Sequence, residues 1–176
     1  MAGPYGTNST QKKLRRLTTA ALATALVFLF TFFIRVPTGL GYIHLGDALV
    51  LLFAAATGDP LALLVGALGE GLADLAGGYF NYLPATVLIK ALIALPVLLF
   101  ARKAPRETPL FSWKTILWTL PSVPITLAGY FAADWVLARA YAFADLATNA
   151  VQAVGSIVLF VLLAAAFDRA DLRHRL

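Results

Sequence analysis

Glu70 and Asp74 stand four residues apart in one apolar stretch, and a single amine, Lys90, follows in the next. With Asp47 and Asp134 they are nearly all of the charged side chains inside the hydrophobic part of the chain. Each sits a few residues from the same end of its segment. Ionisable groups at membrane depth are costly and mark substrate or ion pathways. Their convergence therefore points to a pocket open to one compartment. The i,i+4 spacing puts Glu70 and Asp74 on one helix face. Asp74 lies about 5 Å of helix rise from Gly77, and Lys90 about 9 Å from Pro84, at 1.5 Å per residue. At those depths Lys90 can meet Asp74 or Glu70. The pairing expected is a structural ion pair with Asp74, which leaves Glu70 for ligand contact.

Asp134 ends a further apolar stretch, with Tyr130 one turn deeper and Trp135 beside it. Asn149 and Gln152 start the next at similar depth; their amides donate and accept, which suits the edge of a heterocycle. The plainer alternatives are inter-helix hydrogen bonds for the amides, and interfacial belt positions for Trp135 and Tyr141. In Gly41–Asp47, Tyr42 belongs to the outer edge, and Asp47 can cap a helix or bind ligand. His44 is read as a packed core residue. Tyr79, Asn81 and Tyr82 form a second aromatic lip, able to stack on a planar ligand or to anchor in headgroups.

The catalytic alternatives fall away. There is no Ser-His-Asp arrangement, no H-E-x-x-H, no phosphate-cradling glycine loop and no Walker motif. Without cysteine, thiolate chemistry and disulfides are excluded, and two histidines do not make a histidine-rich metal site. The chain is not expected to be an enzyme or to hold a cofactor. Transport driven by ATP needs another subunit to hydrolyse it.

These residues are positioned by six apolar segments, roughly 17–34, 43–57, 61–77, 84–101, 115–137 and 146–167. Of the 176 residues 60% are apolar and 13% charged, about half the charged share of a soluble domain. Mean hydropathy is +0.81. The expected fold is an all-α integral membrane protein, one six-helix domain over residues 1–176, with the second segment short for a full crossing. The first apolar run is already span-length and lacks a cleavage pattern. Eleven of the fourteen lysines and arginines fall in a basic N-terminal segment (1–16), the connection 102–114 and the tail 168–176. That asymmetry predicts cytoplasmic termini. It also accounts for the basic balance through anionic lipid, without nucleic acid. The opposite loops, about 35–42, 78–83 and 138–145, are expected to form the mouth of the pocket.

Taken together, the chain resembles the substrate-binding S component of an energy-coupling factor (ECF) vitamin transporter. The resemblance rests on Ala21-x-x-x-Ala25, Gly41–Leu52, the G-x-x-x-E-G-x-A-D stretch Gly66–Asp74, Tyr82–Leu92 and the N-x-x-Q-x-x-G pattern Asn149–Gly155. The hydroxymethylpyrimidine- and riboflavin-type members are the most similar subgroup. The resemblance implies six helices around a vitamin pocket at the outer face of a prokaryotic cell membrane. It implies that Ala21 and Ala25 meet a transmembrane coupling subunit, itself bound to two ATPases, and that the whole body topples to deliver its cargo. The excess of acids in the pocket disfavours an anionic vitamin such as pantothenate or biotin. Hydroxymethylpyrimidine, pyridoxine or a thiamine-like aromatic is the expected ligand, with riboflavin as the alternative. A membrane scaffold resembling the rod-shape cell-wall protein is the reading from another class; a small intramembrane enzyme ranks below it.

Overall fold

A computed structural model describes residues 9–38 and 42–173. Expectations touching Gly41, His174, Arg175 and the first eight residues of the basic N-terminal segment lie outside the described residues. In chain order the elements are α1 (Ser9–Phe33), β1 (Arg35–Pro37), β2 (Tyr42–His44), α2 (Gly46–Thr57), α3 (Leu61–Gly77), α4 (Leu83–Lys103), α5 (Trp113–Leu117), α6 (Ser122–Leu137), a 3-10 turn (Arg139–Tyr141) and α7 (Ala142–Arg169). The protein is all-α, apart from a three-residue antiparallel pair that matches Arg35 with His44 and Pro37 with Tyr42.

Among the described residues, four helical stretches are long and apolar enough to cross a membrane: Ser9–Phe33, Leu83–Lys103, Trp113–Leu137 and Arg139–Arg169. Their outer faces carry exposed leucines and valines, including Leu22, Leu88 and Val158, as lipid contact requires. The third of these stretches is not one helix. Pro121 and Pro124 follow Leu117 closely, and a proline inside a helix loses a backbone bond and clashes with the preceding turn. The chain therefore makes the short α5, turns, and restarts as α6.

The 12 residues of α2 rise only about 18 Å, against a hydrocarbon core of about 30 Å. Its sequence, GDALVLLFAAAT, has no polar stripe, and a helix apolar all round belongs inside. Ten of its residues are buried, and it packs on α4, α1, α7 and α3. The bundle is thus built around a short central helix whose Asp47 end points toward the site.

Small residues decide how closely the others approach. At Gly69 of α3, an added Cβ would come within 2.6 Å of Val27 Cγ1 and 3.0 Å of the Thr24 carbonyl on α1. The α2–α3 turn is equally constrained: Gly58 is left-handed at φ 59° and closes α2 by donating its N–H to the Ala54 carbonyl, a conformation that costs glycine little. The connection 102–114 is tied down by Asp168, which accepts backbone N–H bonds from Leu110 and Phe111 at 3.1 and 2.7 Å.

Replacing Gly69 by Leu should force α1 from α3 and destabilise the fold by about 1–3 kcal/mol, the usual range for overpacking. Thermal unfolding in mild detergent should show a clear drop in midpoint for Gly69→Leu. Leu68→Ala, at a position 52% exposed to lipid, should leave the midpoint nearly unchanged.

Candidate functional site

The site forms where the ends of four elements meet. Gly78 stops α3 in a left-handed cap, and Pro84 sits in the first turn of α4, where its missing N–H is no loss. The start of α7 and the β2 strand complete the ring. A cavity of about 50 Å³ lies between them, lined by Tyr42, Glu70, Asp74, Tyr79, Tyr82, Tyr130, Asn149 and Gln152 among the residues singled out from sequence. The wall also includes Thr38, His44, Thr86, Asp145 and Thr148, which the sequence reading did not place in a ligand site. Three of these carry a spacing signal. Thr86, Asp145 and Thr148 each precede a chosen residue (Lys90, Asn149, Gln152) by one turn, i to i+4, and so share its face.

Beneath the cavity lies a charged cluster. Lys90 Nζ is 2.8 and 3.0 Å from the two Asp47 carboxylate oxygens and 3.0 Å from Glu70 Oε2. His44 Nε2 is 3.2 Å from the same Glu70 oxygen. Gln152 donates to Asp47 Oδ2 at 3.3 Å and accepts the His44 backbone N–H at 3.2 Å. All five side chains are buried, Lys90 completely. One ammonium thus joins α2, α3 and α4, and Gln152 brings in α7.

The expected Lys90–Asp74 pair is not formed. Lys90 is seven residues into α4 from Leu83, and Glu70 is seven residues before the α3 end at Gly77. These two therefore lie level, while Asp74 is one turn nearer the rim. There it accepts a 2.7 Å hydrogen bond from the Tyr42 hydroxyl. Asp47 makes no cap: Leu45 holds the N-cap position of α2, with no side-chain bond. His44, Asp47 and Glu70 also offer ligand atoms within 4.8 Å of one another, a set able to hold a divalent cation. The Lys90 ammonium stands among them and supplies that positive charge.

The rim is built from tyrosines held by carboxylates. Tyr82 donates to Asp134 Oδ1 at 2.7 Å, and the Tyr130 and Thr86 hydroxyls are 3.3 Å apart. Tyr42 and Tyr79 rings lie 5.0 Å apart at 60°, and Arg35 sits over the Tyr42 ring at 4.9 Å. Asn149 donates to Asp145 at 3.1 Å. Asp134 is buried and positions Tyr82 without lining the cavity; Asn81 is exposed and stands outside it. Trp135 packs against Phe131 and Phe143, with Arg139 over its ring, also away from the cavity. Three buried carboxylate oxygens, Glu70 Oε1, Asp74 Oδ2 and Asp134 Oδ2, have no hydrogen-bond partner among the described residues. Buried acceptors left open in this way are costly, and two of these belong to residues of the cavity wall. On the far side of α1, Ala21 and Ala25 are exposed, while Ala20 and Val27 face inward.

A polar, tyrosine-walled pocket at one end of an apolar bundle is the geometry of a membrane-embedded binding protein. A family model described as ECF-type riboflavin transporter, S component, matches residues 11–169. The chain belongs to this family. No curated protein and no solved structure matches it. As an S component it is the substrate-binding subunit of a transporter and not an enzyme, a multi-pass membrane protein that associates with the components of an ECF module.

Removing the ammonium strands two buried carboxyl groups. Breaking a buried pair from one side costs about 3–5 kcal/mol. Lys90→Met should therefore lower folded yield and thermal midpoint strongly, whereas adding Asp47→Asn and Glu70→Gln to it should recover much of the loss. A Lys90→Met midpoint equal to wild type would mean that the cluster contributes little to the fold.

Proposed function

We propose that this S component captures a planar, uncharged or weakly cationic vitamin in the tyrosine-walled cavity and delivers it through an ATP-driven importer. The observation that carries the reading is the set of residues lining one cavity: the aromatic Tyr42, Tyr79, Tyr82 and Tyr130, the amides Asn149 and Gln152, and the acids Glu70 and Asp74, each with a buried carboxylate oxygen that has no hydrogen-bond partner among the described residues. Rings of this kind stack on a flat heterocycle. Amides read its edge, and carboxylate oxygens accept from hydroxyl or ring N–H groups.

Riboflavin, the vitamin in the family's name, is the ligand we infer. Its ring system is flat and neutral with a polar edge, and its side chain offers several hydroxyl donors to the acid-rich wall. A cavity of about 50 Å³ has room for only one or two waters at ~30 Å³ each, so binding requires the tyrosine rim to open. The same small volume favours the second reading, a smaller ring such as hydroxymethylpyrimidine, pyridoxine or thiamine.

The partners follow from the same reading. Exposed Ala21 and Ala25 let another helix approach α1 closely, which suits docking to a transmembrane coupling subunit bound to two ATPases. ATP is then hydrolysed by those subunits, with no cofactor in this chain. The basic connections fit cytoplasmic termini and a pocket opening to the outside of a prokaryotic cell membrane, with transport by toppling of the whole body.

Titration of the purified protein with riboflavin, read by flavin and tryptophan fluorescence, tests the ligand. Asn149→Ala should weaken binding about 2–10-fold, the value of one hydrogen bond. Asp134→Ala should weaken it by releasing Tyr82, while Asp134→Asn, which keeps the acceptor, should do less. Saturable binding of a smaller vitamin instead would move the assignment to it; no binding across the panel would sink the reading. Ala21→Trp or Ala25→Trp should abolish co-purification with the coupling subunit while leaving vitamin affinity unchanged.

A further inference from the structure

At the opposite end of the bundle lies a second cavity of about 600 Å³. Thr86 and Arg102, near the two cavities, are sixteen residues apart on α4, about 24 Å of helix rise. Six cations line this second cavity: Lys12, Arg15, Arg16, Arg102, Arg106 and Arg173; Asp59 is its one carboxylate. They arrive from α1, from the end of α4 and the connection after it, and from the residues beyond α7.

Few of these charges are neutralised. Arg16 pairs with Asp59 in a fork, one arm at 2.8 Å. Burial pushes the Asp59 carboxyl up, but the hydrogen bond from Arg16 and the nearby Arg102 hold it below the usual carboxylate range, so it stays charged. Arg173 spends its donors on the Ala56 and Thr108 carbonyls at 3.3 and 2.5 Å. The side chains of Lys12, Arg15, Arg102 and Arg106 form no ion pair or hydrogen bond among the described residues.

Topology alone asks only that basic residues lie near the helix ends on one side; it does not ask them to converge on one concavity. Five of the six are arginine, whose planar fork matches phosphate oxygens. Phe53, Ala56 and Ala101 add apolar wall. The volume is that of a small-molecule site, and basic pockets between membrane helices take lipid headgroups.

We propose that this cavity binds a phosphate-bearing anion, separate from the vitamin site, whose charge allows α1, the end of α4 and the chain after α7 to close around it. The phosphate can belong to an acidic phospholipid headgroup or to a soluble phosphate compound.

Two probes separate these sources. Native mass spectrometry of the purified protein, offered phosphatidylglycerol and phosphatidylcholine in equal amounts, tests the lipid. A thermal shift with inorganic pyrophosphate, against chloride at equal ionic strength, tests the soluble anion. Selective retention of phosphatidylglycerol, or a saturable rise in midpoint with pyrophosphate, supports the site and identifies the source. Arg102→Gln with Arg106→Gln should weaken the positive response at least fivefold, and Arg15→Gln alone should weaken it too. The control pair Lys103→Gln with Lys114→Gln removes the same charge from the same connection, outside the cavity, and should leave the response unchanged. Equal losses in both pairs would mean diffuse surface attraction and overturn the proposal. So would the absence of both responses in the wild-type protein.

Discussion

The buried ammonium of Lys90 is the interaction on which the rest of the arrangement depends. A lone lysine within an apolar bundle is expensive unless its charge is matched and its donors are used. Here Asp47 and Glu70 do both. Because these partners lie on α2 and α3, satisfying one side chain sets the depth of three helices relative to each other. Gln152 extends the register to α7 by bonding Asp47 and the backbone of His44. The floor of the cavity is therefore fixed before any ligand arrives.

Above that floor the polar groups are held less completely. Tyr42 and Tyr82 each lean on one carboxylate oxygen, and the second oxygen of Asp74 and of Asp134 remains open. A rim of this kind can exchange its internal hydrogen bonds for bonds to a guest at little net cost, since the acceptors are already desolvated. The division is physical: ionic contacts where rigidity is needed, and single neutral-to-charged hydrogen bonds where the wall must open. The lipid-facing side is nearly featureless by contrast, and α1 turns its exposed alanines outward while packing Val27 on Gly69.

Much of the site was legible because burying charge in a membrane is so costly that each instance is informative. Eight of the residues chosen from the sequence line one cavity. The pairing inside the set was less legible. A depth of about 9 Å counted from Pro84 allows Lys90 to meet either Asp74 or Glu70 but is nearer that of Glu70, and the start of α4 at Leu83 puts the two level. Asp47 as the second partner could not be read from spacing within α3 and α4, since it comes from a third element, the short helix α2 that packs against both. Asn81 and Asp134 had suitable chemistry and depth, but one faces out and the other supports Tyr82 from behind.

What the sequence determined by itself is whatever follows from composition and local period: a helical membrane protein, its apolar segments, the charge asymmetry of its connections, and the resemblance to S components. Hydropathy and charge placement act residue by residue against the bilayer, so they need no knowledge of contacts. Only the tertiary structure decided the partners of Lys90, the burial of α2 at the centre, the break of the fifth segment into α5 and α6, and the convergence of six cations on one cavity. Each of these joins side chains that are distant in sequence. Their proximity depends on helix register and crossing, which small residues such as Gly69 permit but do not by themselves specify.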